Sequence, residues 1–270
     1  GLKDRSLAEH PSFFEVMTAA ALCAFQRAKV DAAVLEVGLG GRLDATNAVD
    51  PLVSAIVTID LDHVGTLGST IEAIAGEKAG IARRGRTLVS GVVQPEAVAV
   101  IREQCDAIGA RFVDARSAQL PSGVRLSLNG AHQRDNARVA VVAFEEIARA
   151  IGLPAHAREI RRGLETARWG GRLQLIPGSP AILLDGAHNP AAAEVLGAHL
   201  ALRAGPKPIL LFGAMADKDV PGILGPLAPY VASVVATHPP VLRAAECRDI
   251  TAAARALGLP AGAETDTDAA

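Results

Sequence analysis

Apolar residues recur along this chain with two spacings, one typical of helices and one of buried strands. Short apolar runs bounded by glycine, proline or polar residues predict strands at 32–37, 53–59, 87–93, 124–128, 181–184, 209–212 and 233–236. Positions three and four apart predict helices that begin after Ser12 and after Thr70, and others at 95–108, 133–151, 159–167, 191–202, 220–227 and 244–257. This alternation predicts an α/β fold with a doubly wound parallel sheet.

The strand and helix pattern pauses once, at Trp169-Gly170-Gly171-Arg172, before a second series begins. A chain of 270 residues is long enough for two domains. We therefore predict a larger domain over 1–172 and a smaller one over 173–270.

The composition excludes several classes of function. Hydrophobic residues make up 50% of the chain and charged residues 21%, which indicates a globular protein. A net charge of −2 and an aromatic content of 3% argue against a nucleic-acid partner. No apolar run approaches the roughly 18 residues that cross a membrane. The three isolated cysteines are typical of buried thiols in a reducing cytoplasm.

A glycine-rich segment follows the predicted strand at 32–37. It reads Glu36-Val37-Gly38-Leu39-Gly40-Gly41-Arg42-Leu43-Asp44-Ala45-Thr46-Asn47. Carboxyl ends of strands in open α/β sheets are where ligands bind, and glycines let the backbone approach a ligand closely. The segment is either a metal and phosphate site or a turn between a strand and a helix.

Two further residues point to the same edge of the predicted sheet. Asp62-His63 follows the strand at 53–59, so His63 is expected beside Glu36, although a histidine there can also be an ordinary turn residue. Lys78 lies on the apolar stripe of its predicted helix. Such a lysine either extends its amine to solvent or, as a buried neutral amine, adds carbon dioxide to form a carbamate.

The segments 36–47, Asp62-His63-Val64-Gly65-Thr66-Leu67-Gly68 and Glu77-Lys78-Ala79-Gly80-Ile81 resemble, in order, motifs of the dihydrofolate synthase/folylpolyglutamate synthase family, a branch of the Mur ligases. The resemblance implies that Glu36 and His63 bind Mg²⁺ and that Lys78 is a carbamylated ligand. His63 and Lys78 would thereby take part in catalysis.

The resemblance also implies a pterin pocket lined by Ser12, Phe14 and Asp44. From the residues alone, Ser12 fits a capping box with Glu15, so the alternatives are that Ser12 is an ordinary helix cap and that Phe14 is an ordinary core aromatic.

Three later motifs resemble the nucleotide-binding parts of the same family. They are Gly130-Ala131-His132-Gln133-Arg134-Asp135-Asn136-Ala137, Trp169-Gly170-Gly171-Arg172-Leu173-Gln174 and Asp185-Gly186-Ala187-His188-Asn189-Pro190. The resemblance implies that Asn136, Arg172, Asp185 and His188 bind ATP. By itself, an asparagine such as Asn136 can instead satisfy backbone groups at a helix start.

The resemblance implies an ATP-dependent, ADP-forming ligase that joins L-glutamate to dihydropteroate or to a folylpolyglutamate through an acyl phosphate, with Mg²⁺, in the cytoplasm and as a monomer. A peptidoglycan-precursor ligase and an inactive fragment are the alternatives. The family's phosphate loop, G-T-x-G-K-[GS]-[ST], does not occur in these 270 residues. The chain starts at Gly1 and stops after Asp266-Thr267-Asp268-Ala269-Ala270, so we expect a fragment that does not catalyse ligation alone.

Overall fold

A computed structural model describes residues 10–238, 241 and 243–265. The two chain ends, on which the expectation of a fragment draws, lie outside the described residues. The chain divides into two compact units. One contains the described residues up to Leu120 together with Arg138–His156, and the other contains Pro121–Ala137 and the described residues from Ala157 onward. The predicted domain boundary at 172/173 stays a prediction.

The first unit is built on three parallel strands in the order β1-β2-β3. The strands are β1 (Val53–Ile56), β2 (Thr87–Ser90) and β3 (Arg111–Asp114). The helices are α1 (Phe13–Ala28), α2 (Val64–Leu67), α3 (Ile71–Ala79), α4 (Pro95–Ile108) and most of α5 (His132–Ala150).

Both faces of this sheet are covered. Leu88 is buried with Ile74 of α3 and Ile101 of α4 on one face. Its neighbour Val89 points to the other face, where it packs with Val139 of α5. Helices on both faces of a parallel sheet confirm the predicted doubly wound class.

Helix α1 has capping interactions at both ends but no buried residues. Ser12 Oγ accepts from Glu15 N at 3.2 Å, and Glu15 Oε2 accepts from Ser12 N at 2.6 Å, so the predicted capping box is confirmed. The helix ends where Lys29 adopts a left-handed backbone conformation. None of its residues is buried, and Phe13 is 81% exposed. The expectation that Phe14 is a core aromatic is wrong, because its side chain is exposed.

The second unit has its own parallel sheet, in the order β6-β7-β8. Its helices are α6 (Ala157–Thr166), α7 (Pro190–Ala201), α8 (Val220–Leu227) and α9 (Cys247–Ala256), and its strands are β4 (Gln174–Ile176), β5 (Ile182–Leu184), β6 (Ile209–Phe212), β7 (Ser233–Ala236) and β8 (Ala261–Ala263). The core packs Ile223 and Leu224 of α8 against Val234 of β7 and Ile250 of α9. Strands β4 and β5 form a separate antiparallel pair.

The predicted strand at 32–37 is wrong. These residues belong to no β-ladder, and Val34 is 94% exposed. An apolar run becomes a strand only when a neighbouring strand satisfies its amides and carbonyls. No strand among the described residues pairs with this segment.

The predicted strand at 124–128 is wrong for a different reason. Ser127 N donates to Leu164 O at 3.2 Å, and Ser127 Oγ donates to Ala167 O at 2.5 Å. The segment therefore satisfies its polar groups against the end of α6 and not against a strand. Strands β1 and β2 also end earlier than predicted, and the sequence pattern missed β3, β4, β8 and α2. No helix of the described residues has both the length and the apolar character needed to cross a membrane.

Candidate metal and nucleotide sites

The glycine-rich loop of the first unit is braced by Asp44. Its Oδ2 accepts from Gly38 N and Leu39 N, both at 3.0 Å, and its Oδ1 accepts from Thr46 N at 2.9 Å and Thr46 Oγ1 at 2.5 Å. Partial burial raises the pKa of Asp44, but these hydrogen bonds outweigh it and hold the pKa below the ordinary 3.8. Four donors fill the four lone-pair positions of the carboxylate. Asp44 therefore holds the loop together, and its contact with a pterin stays a prediction.

Phe14 lies beside this brace. A Cβ built on Gly38 would come within 2.7 Å of Phe14 Cζ, so the aromatic ring lies directly against the Gly38 backbone. Two of the three predicted pterin-pocket residues are thus close to one another, joined through Gly38. Ser12, the third, is engaged in the capping box.

The loop is fastened to the end of α3. Arg42 N donates to Glu77 O at 2.8 Å, and Arg42 Nη2 pairs with Glu77 Oε1 at 2.8 Å. A Cβ on Gly80 would lie 2.4 Å from Arg42 Cβ, and one on Gly41 would lie 2.9 Å from Glu77 O. Glycine at both positions is therefore required for the loop and the helix to touch.

A second fastening joins Asn47 to Arg83. Arg83 Nη2 donates to Asn47 O at 2.7 Å and to Asn47 Oδ1 at 2.6 Å. Asn47 Nδ2 in turn donates to Arg42 O at 2.9 Å and to Gly80 O at 3.2 Å. No role for Arg83 could be predicted from the sequence, because nothing in its spacing shows that its guanidinium reaches back 36 residues.

The three predicted metal ligands lie on segments that converge. Glu36 is exposed in the extended segment before the loop. His63 precedes α2 with φ of 51°, its side chain 46% exposed, and its N–H donates to Asp62 Oδ1 at 2.8 Å. Lys78 is half-buried in the last turn of α3.

The convergence is through backbone and apolar contacts. A Cβ on Gly40 would touch Leu67 of α2 at 2.8 Å, and one on Gly41 would lie 3.0 Å from Lys78 O. No hydrogen bond of the described residues joins Glu36, His63 and Lys78 directly, and the described residues hold no group of three histidine, cysteine or acidic side chains able to bind a metal.

The chemistry of these side chains decides how well they fit Mg²⁺. Among the described residues, the side chains of Glu36 and Lys78 form no hydrogen bond or ion pair, so both side chains are available as ligands. Mg²⁺ prefers oxygen ligands, which Glu36 supplies directly. Lys78 supplies oxygen only as a carbamate. The residues therefore fit a magnesium ion if Lys78 is carbamylated.

In the second unit Asp185 fastens two backbone segments. Its Oδ2 accepts from Leu173 N and its Oδ1 accepts from Ala187 N, both at 2.9 Å. Leu173 is 2% exposed and has φ of 44°, a left-handed conformation that costs about 1–2 kcal/mol for a residue with a Cβ. Its carbonyl accepts from Asn129 Nδ2 at 3.0 Å. Leu173 is therefore held from both sides in an unfavourable conformation.

Arg172 and His188 belong to the same cluster. A Cβ on Gly186 would lie 2.7 Å from Arg172 Nη1, so this guanidinium lies against the turn that follows Asp185. His188 Nδ1 donates to Gly186 O at 2.9 Å, which leaves Nε2 of the neutral ring as an acceptor. Asn189 then caps α7 by accepting from Ala192 N at 2.9 Å.

The first turn of α5 meets this cluster through Gly130. A Cβ there would lie 2.5 Å from His132 Cε1 and 2.8 Å from Leu173 Cδ1. Asn136 Nδ2 donates to Gln133 Oε1 at 3.1 Å. The structure therefore ties the segments that carry Asn136, Arg172, Asp185 and His188 to one another. The motifs indicated roles for those four residues but not for Gln133, which contacts Asn136, or for His132, which contacts Gln133.

Comparison with known proteins gives the same family that the motifs indicate. Residues 171–270 match the glutamate ligase domain of the Mur ligases. Dihydrofolate synthase/folylpolyglutamate synthase of Bacillus subtilis (strain 168) is 39% identical over 231 residues, which cover 77% of this chain and 54% of that protein. The chain belongs to the dihydrofolate synthase/folylpolyglutamate synthase family. It spans about half the length of the curated relatives it matches.

Solved structures of this family share the fold. Mycobacterium tuberculosis folylpolyglutamate synthase complexed with ADP superposes with a TM-score of 0.86 at 34% identity, covering 94% of this chain and 62% of that one. The bifunctional synthase of Yersinia pestis, complexed with AMPPNP and Mn ion, gives 0.83 at 31% identity, covering 96% and 64%.

Proposed function

We propose that this chain carries the metal ligands and part of the nucleotide site of an ATP-dependent ligase that joins L-glutamate to dihydropteroate or to folylpolyglutamate. The proposal rests on the cluster formed by Asp185, Arg172 and His188. A carboxylate, a guanidinium and an imidazole meet there at the start of α7, in a chain whose relative has been solved with ADP. No feature of the described residues favours the peptidoglycan branch.

The roles of the residues follow from their chemistry. Arg172 carries a permanent charge and forked donors, which suit phosphate oxygens. Asp185 keeps two lone-pair positions after its two backbone hydrogen bonds, and these can accept from ribose hydroxyl groups. His188 Nε2 and the Asn136 amide add polar groups at the same cluster. Together they bind and orient ATP while its γ-phosphate is transferred to the substrate carboxylate.

Glu36, His63 and carbamylated Lys78 would hold Mg²⁺. When bound, the ion neutralises the charge that develops on the transferring phosphate. The loop that Asp44 braces and Arg83 fastens keeps the backbone of Lys78 close to the glycines that follow Glu36. No side chain of this site has to act as a nucleophile, because the amino group of glutamate attacks the acyl phosphate.

ADP binding tests the nucleotide part of this proposal. Isothermal titration of residues 1–270 with ADP and Mg²⁺ should show binding, and Arg172→Ala should weaken it about tenfold or more. Arg168→Ala is the matched control, because Arg168 is exposed and makes no polar contact with the other described residues. Equal affinities for the two variants would contradict the role of Arg172. We expect no ligation by this chain alone with dihydropteroate and glutamate.

Labelled bicarbonate tests the metal part. A carbamate on Lys78 should give a carbonyl signal in a ¹³C spectrum of the protein, and Lys78→Arg should abolish it, because a guanidinium does not form a carbamate. The persistence of the signal in Lys78→Arg would assign the carbamate to another amine.

A further inference from the structure

A side-chain amide connects the segments that follow β1 and β2 in the first unit. The last ladder pair of these strands is Ile56 and Ser90, after which Gly91 N donates to Ile56 O at 2.9 Å. Three residues further along each segment, Gln94 Nε2 donates to Ile59 O at 2.7 Å. The side chain of Gln94 thus continues the connection that the backbone of the β2 segment makes at Ile56.

The same amide leaves its own oxygen unpaired. Gln94 Oε1 is buried and has no hydrogen-bond partner among the described residues. Ile59 is 0% exposed, so without Gln94 Nε2 the carbonyl of Ile59 would be the unpaired group instead. A buried acceptor without a partner destabilises a fold in either place. The glutamine therefore exchanges one unpaired oxygen for another, and its main effect is to fix the position of the Ile59 carbonyl.

Ile59 is the anchored end of a short connection to His63. Its side chain belongs to the buried core that also contains Ile74 of α3 and Ile101 of α4. Residues 60–62 separate Ile59 from His63, and four steps of extended chain span at most about 14 Å. A fixed carbonyl at Ile59 therefore limits where the imidazole of His63 can lie.

His63 is held from its other side by α2. Its carbonyl accepts from Thr66 N at 2.8 Å and from Leu67 N at 3.0 Å. A Cβ on Gly40 would lie 2.8 Å from Leu67 Cδ2, so α2 lies against the glycine-rich loop. With φ of 51°, His63 has a left-handed backbone conformation that is unfavourable for a residue with a Cβ. Such a conformation persists only where the surrounding structure holds it, which makes the anchor at Ile59 as necessary as α2.

We propose that Gln94 is a positioning residue for His63, which it holds in place for metal binding through the carbonyl of Ile59. This inference rests on the proposed metal-binding function of Glu36, His63 and Lys78. Gln94 forms no hydrogen bond with any of these three residues, so it acts on His63 only through the backbone. Removal of a group that orients a metal ligand typically weakens metal binding by about tenfold or more.

Manganese binding tests the consequence for the metal site. The bifunctional relative from Yersinia pestis was solved with Mn ion, so Mn²⁺ is a suitable probe. Its affinity for residues 1–270 in bicarbonate buffer can be measured from the electron paramagnetic resonance signal of the free ion. Broadening of the histidine ring signals in NMR spectra locates the bound ion, and the loss of one ring's signals in His63→Gln assigns His63.

Gln94→Met is the decisive variant, because methionine has a similar length but no donor. We expect it to weaken Mn²⁺ binding about tenfold and to reduce the broadening of the His63 ring. Gln119→Met is the matched control, since Gln119 is exposed and its Nε2 donates to Ser117 O at 3.5 Å. An unchanged Mn²⁺ affinity in Gln94→Met would overturn the proposal.

Stability distinguishes positioning from general support of the core. Gln94→Met should change the midpoint of thermal unfolding little, because the unpaired oxygen of Ile59 replaces that of Gln94. Ile101→Val removes one methyl group from the same core and should lower the midpoint while the Mn²⁺ affinity stays unchanged. If Ile101→Val weakens Mn²⁺ binding as much as Gln94→Met does, the loss reflects a loosened core and the proposal is wrong.

Hydrogen exchange tests the position of His63 without any metal. The amides of Thr66 and Leu67 donate to the carbonyl of His63, so they should exchange several-fold faster in Gln94→Met and at the wild-type rate in Gln119→Met. Wild-type exchange rates of both amides in Gln94→Met would contradict the proposal. If the wild-type chain binds no Mn²⁺, the proposed metal function fails, whereas these exchange rates still decide whether Gln94 holds His63.

Discussion

In the first unit the predicted ligands Glu36 and Lys78 lie on segments that other residues hold in place, whereas in the second unit Asp185 itself joins two backbone segments. The loop of the first unit is fastened by Asp44, Arg42 and Arg83, and the side chains of Glu36 and Lys78 make no polar contacts among the described residues. Asp185 instead accepts from two backbone amides.

This difference teaches how substitutions should be interpreted. A ligand without structural contacts can be removed with a loss of function alone. When a residue that also fastens backbone segments is replaced, the protein loses both function and stability. The drop in activity of such a variant therefore says less about the chemistry of the residue. The predictions below test this contrast.

The largest effect should come from the contact between the loop and α3. Gly80→Ala would place a Cβ 2.4 Å from Arg42 Cβ, where neither backbone can easily retreat. We expect a loss of about 2 kcal/mol in the free energy of unfolding. Chemical denaturation measures it.

Gly76→Ala, within the helix that Gly80 caps, is the control. A Cβ on Gly76 meets nothing within 4 Å, and alanine favours a helix over glycine by about 1 kcal/mol. This variant should therefore be stabilised. Equal stability of the two variants would show that the loop does not pack against α3 as described.

Removal of Asp185 should cost more stability than removal of Glu36 or Lys78. Asp185→Ala leaves the N–H of buried Leu173 without its acceptor, and should cost about 1–2 kcal/mol of unfolding free energy. Glu36→Ala and Lys78→Ala should each change it by less than about 0.5 kcal/mol. Denaturation of the three variants side by side provides the measurement. A destabilisation by Glu36→Ala as large as that by Asp185→Ala would remove the distinction between the two sites.

The smallest effect concerns acid. The pKa of His132 is lower in the folded state than its ordinary 6.5, so folding favours the neutral ring. The unfolding free energy is therefore unaffected by this ring above about pH 6.5. It declines as the pH falls from there towards the folded-state pKa, because the unfolded state takes up a proton that the folded state does not. The pKa of Asp44 is also lowered, so its contribution is complete above about pH 3.8 and is lost only as the pH falls below that value.

The second unit should therefore weaken first. Hydrogen exchange between pH 7 and 5 should show declining protection around Leu173, after correction for the intrinsic exchange rate, while the amides of Leu39 and Thr46 remain protected. His132→Gln should remove the decline around Leu173. Protection that falls equally in both regions would point to global unfolding and not to these two groups.

The sequence predicted those features that depend on local pattern. Helices α1, α3 and α4 follow from their apolar spacing and from Ser12, Thr70 and Pro95 at their starts. The strand at 32–37 could not be decided in this way, because an apolar run becomes a strand only beside a partner, and the pattern carries no information on which partners exist.

The same limit applies to the sites. The order of the motifs indicated the family and predicted that Asp44 contacts the pterin and that Asp185 binds ATP. It could not show that the carboxylates of these residues accept backbone hydrogen bonds. Nor could it reveal the contacts of Arg83 with Asn47 or of Gln133 with His132 and Asn136, since those depend on where side chains meet after folding. The only local signal of these contacts in the sequence was glycine at positions of close approach, such as Gly80 and Gly130.

Helix α1, which buries none of its residues, has a consequence for proteolysis. Opening such a helix exposes little new apolar surface, so a protease can reach it without unfolding the sheet of its unit. A first cut within Phe13–Ala28 would separate Ser12 from the rest of the unit while the core around Leu88 stayed intact. The predicted pterin pocket thus depends on a helix that has no buried residue, and a ligand that contacts Phe14 and the Asp44 loop together should slow that cut.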